Sequence, residues 1–114
     1  MRFVLVFTFF LVSFQASAAF QASTITKIKD IESYSSYGNG DVIFTVTTPQ
    51  SVCTGGYWLK KDDAGFETNL SILLSTYHSR SDVQIRGLVN ELWGGSSKKF
   101  CHIHSIKVIS PSSF

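Results

Sequence analysis

His102 and His104 are the residues whose type and spacing most directly suggest chemistry. Positions two apart in an extended strand lie on one face, so both imidazoles can converge on a single ion. A zinc site normally needs three or four protein ligands. Cys101 adjoins the pair but points to the other face of a regular strand, and His78, Asp82 and Glu91 stand at no recognisable metal spacing. The pair is therefore expected as two exposed histidines on a strand, with a small metal-dependent enzyme as the alternative. No Gly-x-Ser-x-Gly, His-Glu-x-x-His or phosphate-binding glycine loop occurs. Asp62, Asp63 and Glu67 lie in a turn leading to a predicted helix, where carboxylates are commonly solvated or complement the helix N-terminus. No catalytic residue or cofactor is assigned, and the chain is expected not to be an enzyme.

The aromatic residues point towards binding. Tyr34 and Tyr37 fall in one turn-rich stretch, Ser33 to Asp41, and Trp93 falls in another, with Lys98 and Lys99 beyond it. An indole or phenol ring can stack on the C–H face of a sugar while its N–H or O–H bonds outward. Asn39, Asp41, Asn90 and Glu91 are placed to bond hydroxyls. Trp58 is expected to be buried, which turns its neighbour Tyr57 outward as a further candidate. For Trp93 the competing expectation is a plug over one end of the core.

Cys53 and Cys101 are the two cysteines of the chain. Met1-Arg2, the apolar run Phe3 to Phe14 and the small residues of Ala16-Ser17-Ala18 follow the pattern of a secretory signal. Cleavage is expected after Ala18, or after Ala19. The apolar run falls short of the about 20 residues that span a bilayer, so no membrane span is expected. Residues 19–114 then form one small exported domain, secreted or periplasmic, in which two cysteines pair. A Cys53–Cys101 bond is worth about 4 kcal/mol by the chain-entropy argument. Removing Arg2 from the ten Lys and Arg leaves nine against eight Asp and Glu. That balance gives no electrostatic case for nucleic acid or an anionic membrane.

These residues must be held by a small set of elements. Thr24 to Ile31 reads as a strand from its Thr and Ile content, with a bulge to reconcile the spacing of Ile25, Ile28 and Ile31. Val42 to Thr48 alternates clearly, Val42, Phe44 and Val46 against Ile43, Thr45 and Thr47, and ends at Pro49. Cys53 to Lys60 is a third strand. Leu70, Leu73, Leu74 and Tyr77 then change period and predict a helix over Asn69 to Ser79, capped by Thr68 or Asn69. Asp82 to Val89 and Phe100 to Ile109 return to strand. Asn90 to Lys99 is read as loop, and Ser110 to Phe114 as a loose end.

The order is β-β-β-α-β-β: mainly β with one helix. That is the element order of an OB-fold, a five-stranded Greek-key barrel. An open antiparallel α+β sheet is the alternative. In an OB barrel, ligands commonly use the second and third strands and the loops after the first and fourth, which carry Tyr34, Tyr37 and Trp93.

The chain resembles the small exported OB-fold proteins that form binding subunits of bacterial AB5-type toxins, especially the B subunit of subtilase-type cytotoxins. The likeness rests on the export signal, the length, the element order and the run from Leu70-x-x-Leu73-Leu74 through Val83-Gln84-Ile85 to Cys101-His102-Ile103. Cys53-Thr54-Gly55-Gly56-Tyr57-Trp58-Leu59 and Trp93-Gly94-Gly95-Ser96 also look like segments of small exported bacterial proteins. The resemblance implies a pentamer that binds cell-surface glycans; no sugar-contacting residue is carried over. The expected function is an exported module that binds a glycan or a partner protein through loop aromatics. The alternative is a structural or assembly role in the cell envelope, with homo-oligomers formed at barrel edges.

Overall fold

The computed structural model describes residues 20–111. The expected signal peptide, 1–18, lies outside them. One mixed six-stranded sheet carries a single α-helix. In chain order the elements are β1 (Phe20–Ala22), β2 (Ile28–Ser33), a short 3-10 turn (Tyr37–Asn39), β3 (Val42–Val46), β4 (Gly56–Leu59), α1 (Phe66–Ser79), β5 (Val83–Leu92) and β6 (Phe100–Val108). No described helix is long and apolar enough to cross a membrane.

The strands lie in the order β1-β5-β6-β4-β3-β2. All neighbours are antiparallel except β4 and β6, which run parallel. The sheet is therefore mixed, where a wholly antiparallel one was the alternative expectation. It is open as a ladder, with β1 and β2 at its two edges. These edges are consecutive in the chain. Thr26 bridges Val83 of β5, and the next residue, Lys27, accepts a hydrogen bond from the Thr47 amide beyond β3 (2.9 Å). The expected first strand, Thr24 to Ile31, is thus the Thr26 bridge and the start of β2, along which the chain leaves one sheet edge for the other, while β1 precedes it. The expected bulge is present, as a shift in the β2–β3 register between Ile28 and Ile31.

Alternation decides which side of β3 is covered. Val42, Phe44 and Val46 are buried in the main core with Tyr57, Leu59, Val83, Ile85 and Ile103. Ile43 faces the other way, into a second cluster with Trp93 and Phe100. The helix packs on β6, β2 and β4 through Phe66, Leu73 and Thr76. It begins at Phe66, earlier than expected, and no side chain caps it. The expected apolar face is divided: Leu73 is fully buried, whereas Leu74 and Tyr77 are 42% and 38% exposed.

Cys53 and Cys101 form a disulfide, with Cα atoms 5.5 Å apart, a normal span for this bond. Both residues are buried in the main core. Cys101 lies in β6, while Cys53 sits in the turn before β4.

Candidate functional site

The loop after β2 folds against the turn after β5, and aromatic rings meet there. The Trp93 indole packs against Tyr34 and Tyr37 at 5.2 Å each and against Phe100 at 5.9 Å. Its Nε1–H donates to Asp41 Oδ2 at 3.2 Å. Asp41 Oδ1 accepts the Lys61 amide at 3.2 Å, so the buried carboxylate joins three loops. The chain folds back over the indole at Gly95, where a Cβ would lie 2.3 Å from Trp93 Cη2. Trp93 is only 4% exposed, and its one donor is used inside the protein. It is a support for other rings, as in the plug expectation, and offers no face to a ligand. Asp41, expected to bond ligand hydroxyls, is likewise consumed.

Tyr37 is different. Its ring stands edge-on against Trp93 and is 47% exposed. Tyr34 lies beside it at 6.1 Å, half-buried. A hydrogen bond to Glu32, then desolvation and the Glu32 charge, hold the Tyr34 phenol above its ordinary range.

Tyr57 reverses its expectation. It is fully buried, stacks with Phe44 at 5.5 Å and donates its hydroxyl to Gln50 at 3.0 Å. Burial pushes its phenol up to about 12, with the Ser23 hydroxyl offsetting part of the rise. The reason is register. Phe44 faces Tyr57, and Gly87 leaves the ring its space, since a Cβ there would lie 2.7 Å from Tyr57 Cε1. Trp58 therefore takes the opposite face and is half-exposed.

On that outer face the register aligns a row across all six strands: Phe20, Leu88, His102, Trp58, Ile43 and Glu32. His102 stacks on Trp58 at 4.7 Å. Its Nδ1 meets Glu91 Oε2 at 2.8 Å and its Nε2 meets Asp63 Oδ2. Trp58 Nε1 donates to the Glu91 carbonyl at 3.0 Å. His102 thus ties β4, the end of β5 and the turn before α1 together, and its side chain is 12% exposed. With a carboxylate on each ring nitrogen, it has no lone pair turned towards a shared ion. His104 is exposed and stacks under Phe20 at 4.7 Å. The two histidines share a face but engage different neighbours. Among the described residues no group of three or more His, Cys, Asp or Glu is arranged to hold a metal.

Asp63 was not expected as a partner of His102, and Glu91, weighed only as a further metal ligand, meets it instead through a hydrogen bond. They stand 39 and 11 residues from it, so no sequence spacing signals the contact. Lys98 is exposed and lines a groove with Thr54, Gly55 and Phe100, apart from the tyrosines. Comparison with protein-family models, curated proteins and solved structures gave no match.

Proposed function

We propose that the protein is an exported binding module, secreted or periplasmic, that recognises glycans through Tyr37 and Tyr34. One observation carries this reading. A half-exposed tyrosine ring is mounted on a buried tryptophan whose orientation is fixed by a hydrogen bond to a buried carboxylate. A preorganised exposed ring costs little conformational entropy to use and suits the C–H face of a sugar. The near-neutral charge speaks against nucleic acid, and nothing in the histidine cluster supports turnover.

The same reading takes the architecture as OB-like. The pairings support it: counted as one bent first strand, residues 20–33 lie along β5 and then β3, as the first strand of a five-stranded, partly open barrel would. The tyrosines then sit in the loop after the first strand, a common ligand position in that fold. The resemblance to toxin B subunits agrees, and with it a homo-oligomer.

Glycan-array screening followed by calorimetry tests the proposal. Tyr37→Ala should weaken the best glycan about tenfold or more while leaving the thermal midpoint nearly unchanged. Equal binding by the variant, or no glycan bound by the folded protein, overturns it. An envelope-assembly role is favoured by a separate observation, the exposed Leu74 and Tyr77 on α1. It predicts self-association that Leu74→Asp abolishes, measured by sedimentation.

A further inference from the structure

Gly55 ends the turn before β4 and Gly56 opens the strand, and a side chain at either would meet close contacts. A Cβ on Gly56, at φ +124°, would lie 2.1 Å from the Phe44 carbonyl oxygen. One on Gly55 would lie 2.9 Å from the Phe100 ring and 3.1 Å from Lys98 Cβ. The register places Gly56 beside Phe100. On the other side, Thr45 follows Phe44, the partner of Tyr57, which brings it level with Gly56. Both glycines are therefore closely packed between Thr45 and Phe100, one row from Trp58 and His102, Gly56 against the β3 backbone and Gly55 under the Phe100 ring.

A groove of about 510 Å³ lies beside them, bordered by Thr45, Thr54, Gly55 and Phe100, within the roughly 300–1,000 Å³ of small-molecule sites. Lys29 stands on one bank, in the β2 bulge, and Lys98 on the other, in the β5–β6 turn. Both are exposed, and neither ammonium has a hydrogen bond or ion pair among the described residues. Asp30, the one acidic lining residue, accepts a hydrogen bond from the Thr45 hydroxyl at 3.3 Å. The banks thus carry two unengaged cations against one engaged carboxylate. Thr54 adds a hydroxyl at the rim. Phe100 is 5% exposed, too little to stack a nucleobase.

We propose that this groove binds an anionic saccharide, with Lys29 and Lys98 holding its carboxylate or sulfate and the Thr54 hydroxyl bonding the ring. The inference rests on the glycan-binding reading and adds a charge requirement and a place that Tyr37 alone does not supply.

The test titrates the purified ¹⁵N-labelled protein with tetragalacturonate, a heparin-derived hexasaccharide and, as neutral control, maltotetraose. Binding of either acidic probe should shift the amides of Lys29, Thr54, Gly55 and Gly56, and should weaken as salt rises. Tetragalacturonate alone acting assigns a carboxylate site; the hexasaccharide alone assigns a sulfate site. Lys29→Gln with Lys98→Gln should reduce the affinity about tenfold or more, with the spectrum of the free protein otherwise preserved. Shifts confined to Tyr34 and Tyr37, or unchanged affinity in the double variant, would overturn the groove while leaving the tyrosine reading intact. A folded protein that binds neither the acidic probes nor any glycan of the array overturns both.

Discussion

At the scale of single residues, the outer-face histidine and the inner-face tyrosine make opposite uses of polar groups. His102, itself largely covered, spends both ring nitrogens on carboxylates that are 34% and 57% exposed, and pairs with such exposed partners are worth little individually. A double-mutant cycle of His102→Ala and Asp63→Ala should give a coupling of about 1 kcal/mol in urea unfolding; zero coupling would reduce the contact to coincidence. Tyr57 instead keeps its neutral hydroxyl in the core. Its phenol is raised from 10.0 to about 12. Folding therefore favours the protonated form: this stabilisation is complete below pH 10 and is lost as pH rises through about 12. The wild type should lose of order 2 kcal/mol across that window relative to Tyr57→Phe. Parallel pH dependence of the two proteins would refute this. Of these residues, the sequence made the His102 and His104 side of β6 legible through period two. It did not make Tyr57 legible, because the choice between Tyr57 and Trp58 depended on Gly87, a residue on another strand.

At the scale of elements, β3 was the most readable, because its two faces meet different environments and its alternation is unbroken. The helix was readable in existence but not in rotation. Its apolar stripe is wider than the surface it covers, so the core takes Phe66, Leu73 and Thr76 and leaves Leu74 and Tyr77 outside. Thr76 is tolerated there because its hydroxyl donates back to the Ile72 carbonyl at 2.8 Å. The end of β5 is hidden in the sequence, because the polar Asn90 and Glu91 interrupt its alternation. They lie in a register shift between Leu88 and Leu92, exposed, while Leu92 resumes pairing opposite Cys101. The start of β4 depends on one backbone position. Gly56→Ala must place a Cβ against the Phe44 carbonyl at a φ that L residues rarely adopt. It should cost about 2 kcal/mol or more in chemical unfolding, and a cost below about 0.5 kcal/mol would show that β4 can shift to relieve the contact.

At the scale of the molecule, the pairing of β4 with β6 could not be read locally. Those strands are parallel neighbours only because α1 and β5 intervene in the chain, and a parallel pair needs such a crossover. The cysteines were the one long-range constraint visible in the sequence, and they connect the same region. Cys101 sits between β4 and β5, opposite Tyr57 and Leu92, while Cys53 holds the turn that delivers β4. Cys101 already has strand partners on both sides, so breaking the bond leaves the ladder hydrogen bonds in place. What it restores is the freedom of the unfolded chain across a sequence separation of 48. Cys53→Ala with Cys101→Ala should therefore keep the native circular dichroism spectrum yet lose about 4 kcal/mol in urea unfolding. A domain of this size has roughly 5–15 kcal/mol in total, so the variant should fold at low temperature and melt well below the wild type. Loss of native structure without denaturant would mean that the bond shapes the sheet itself. A loss below about 1 kcal/mol would mean that the unfolded chain already holds its two cysteines close.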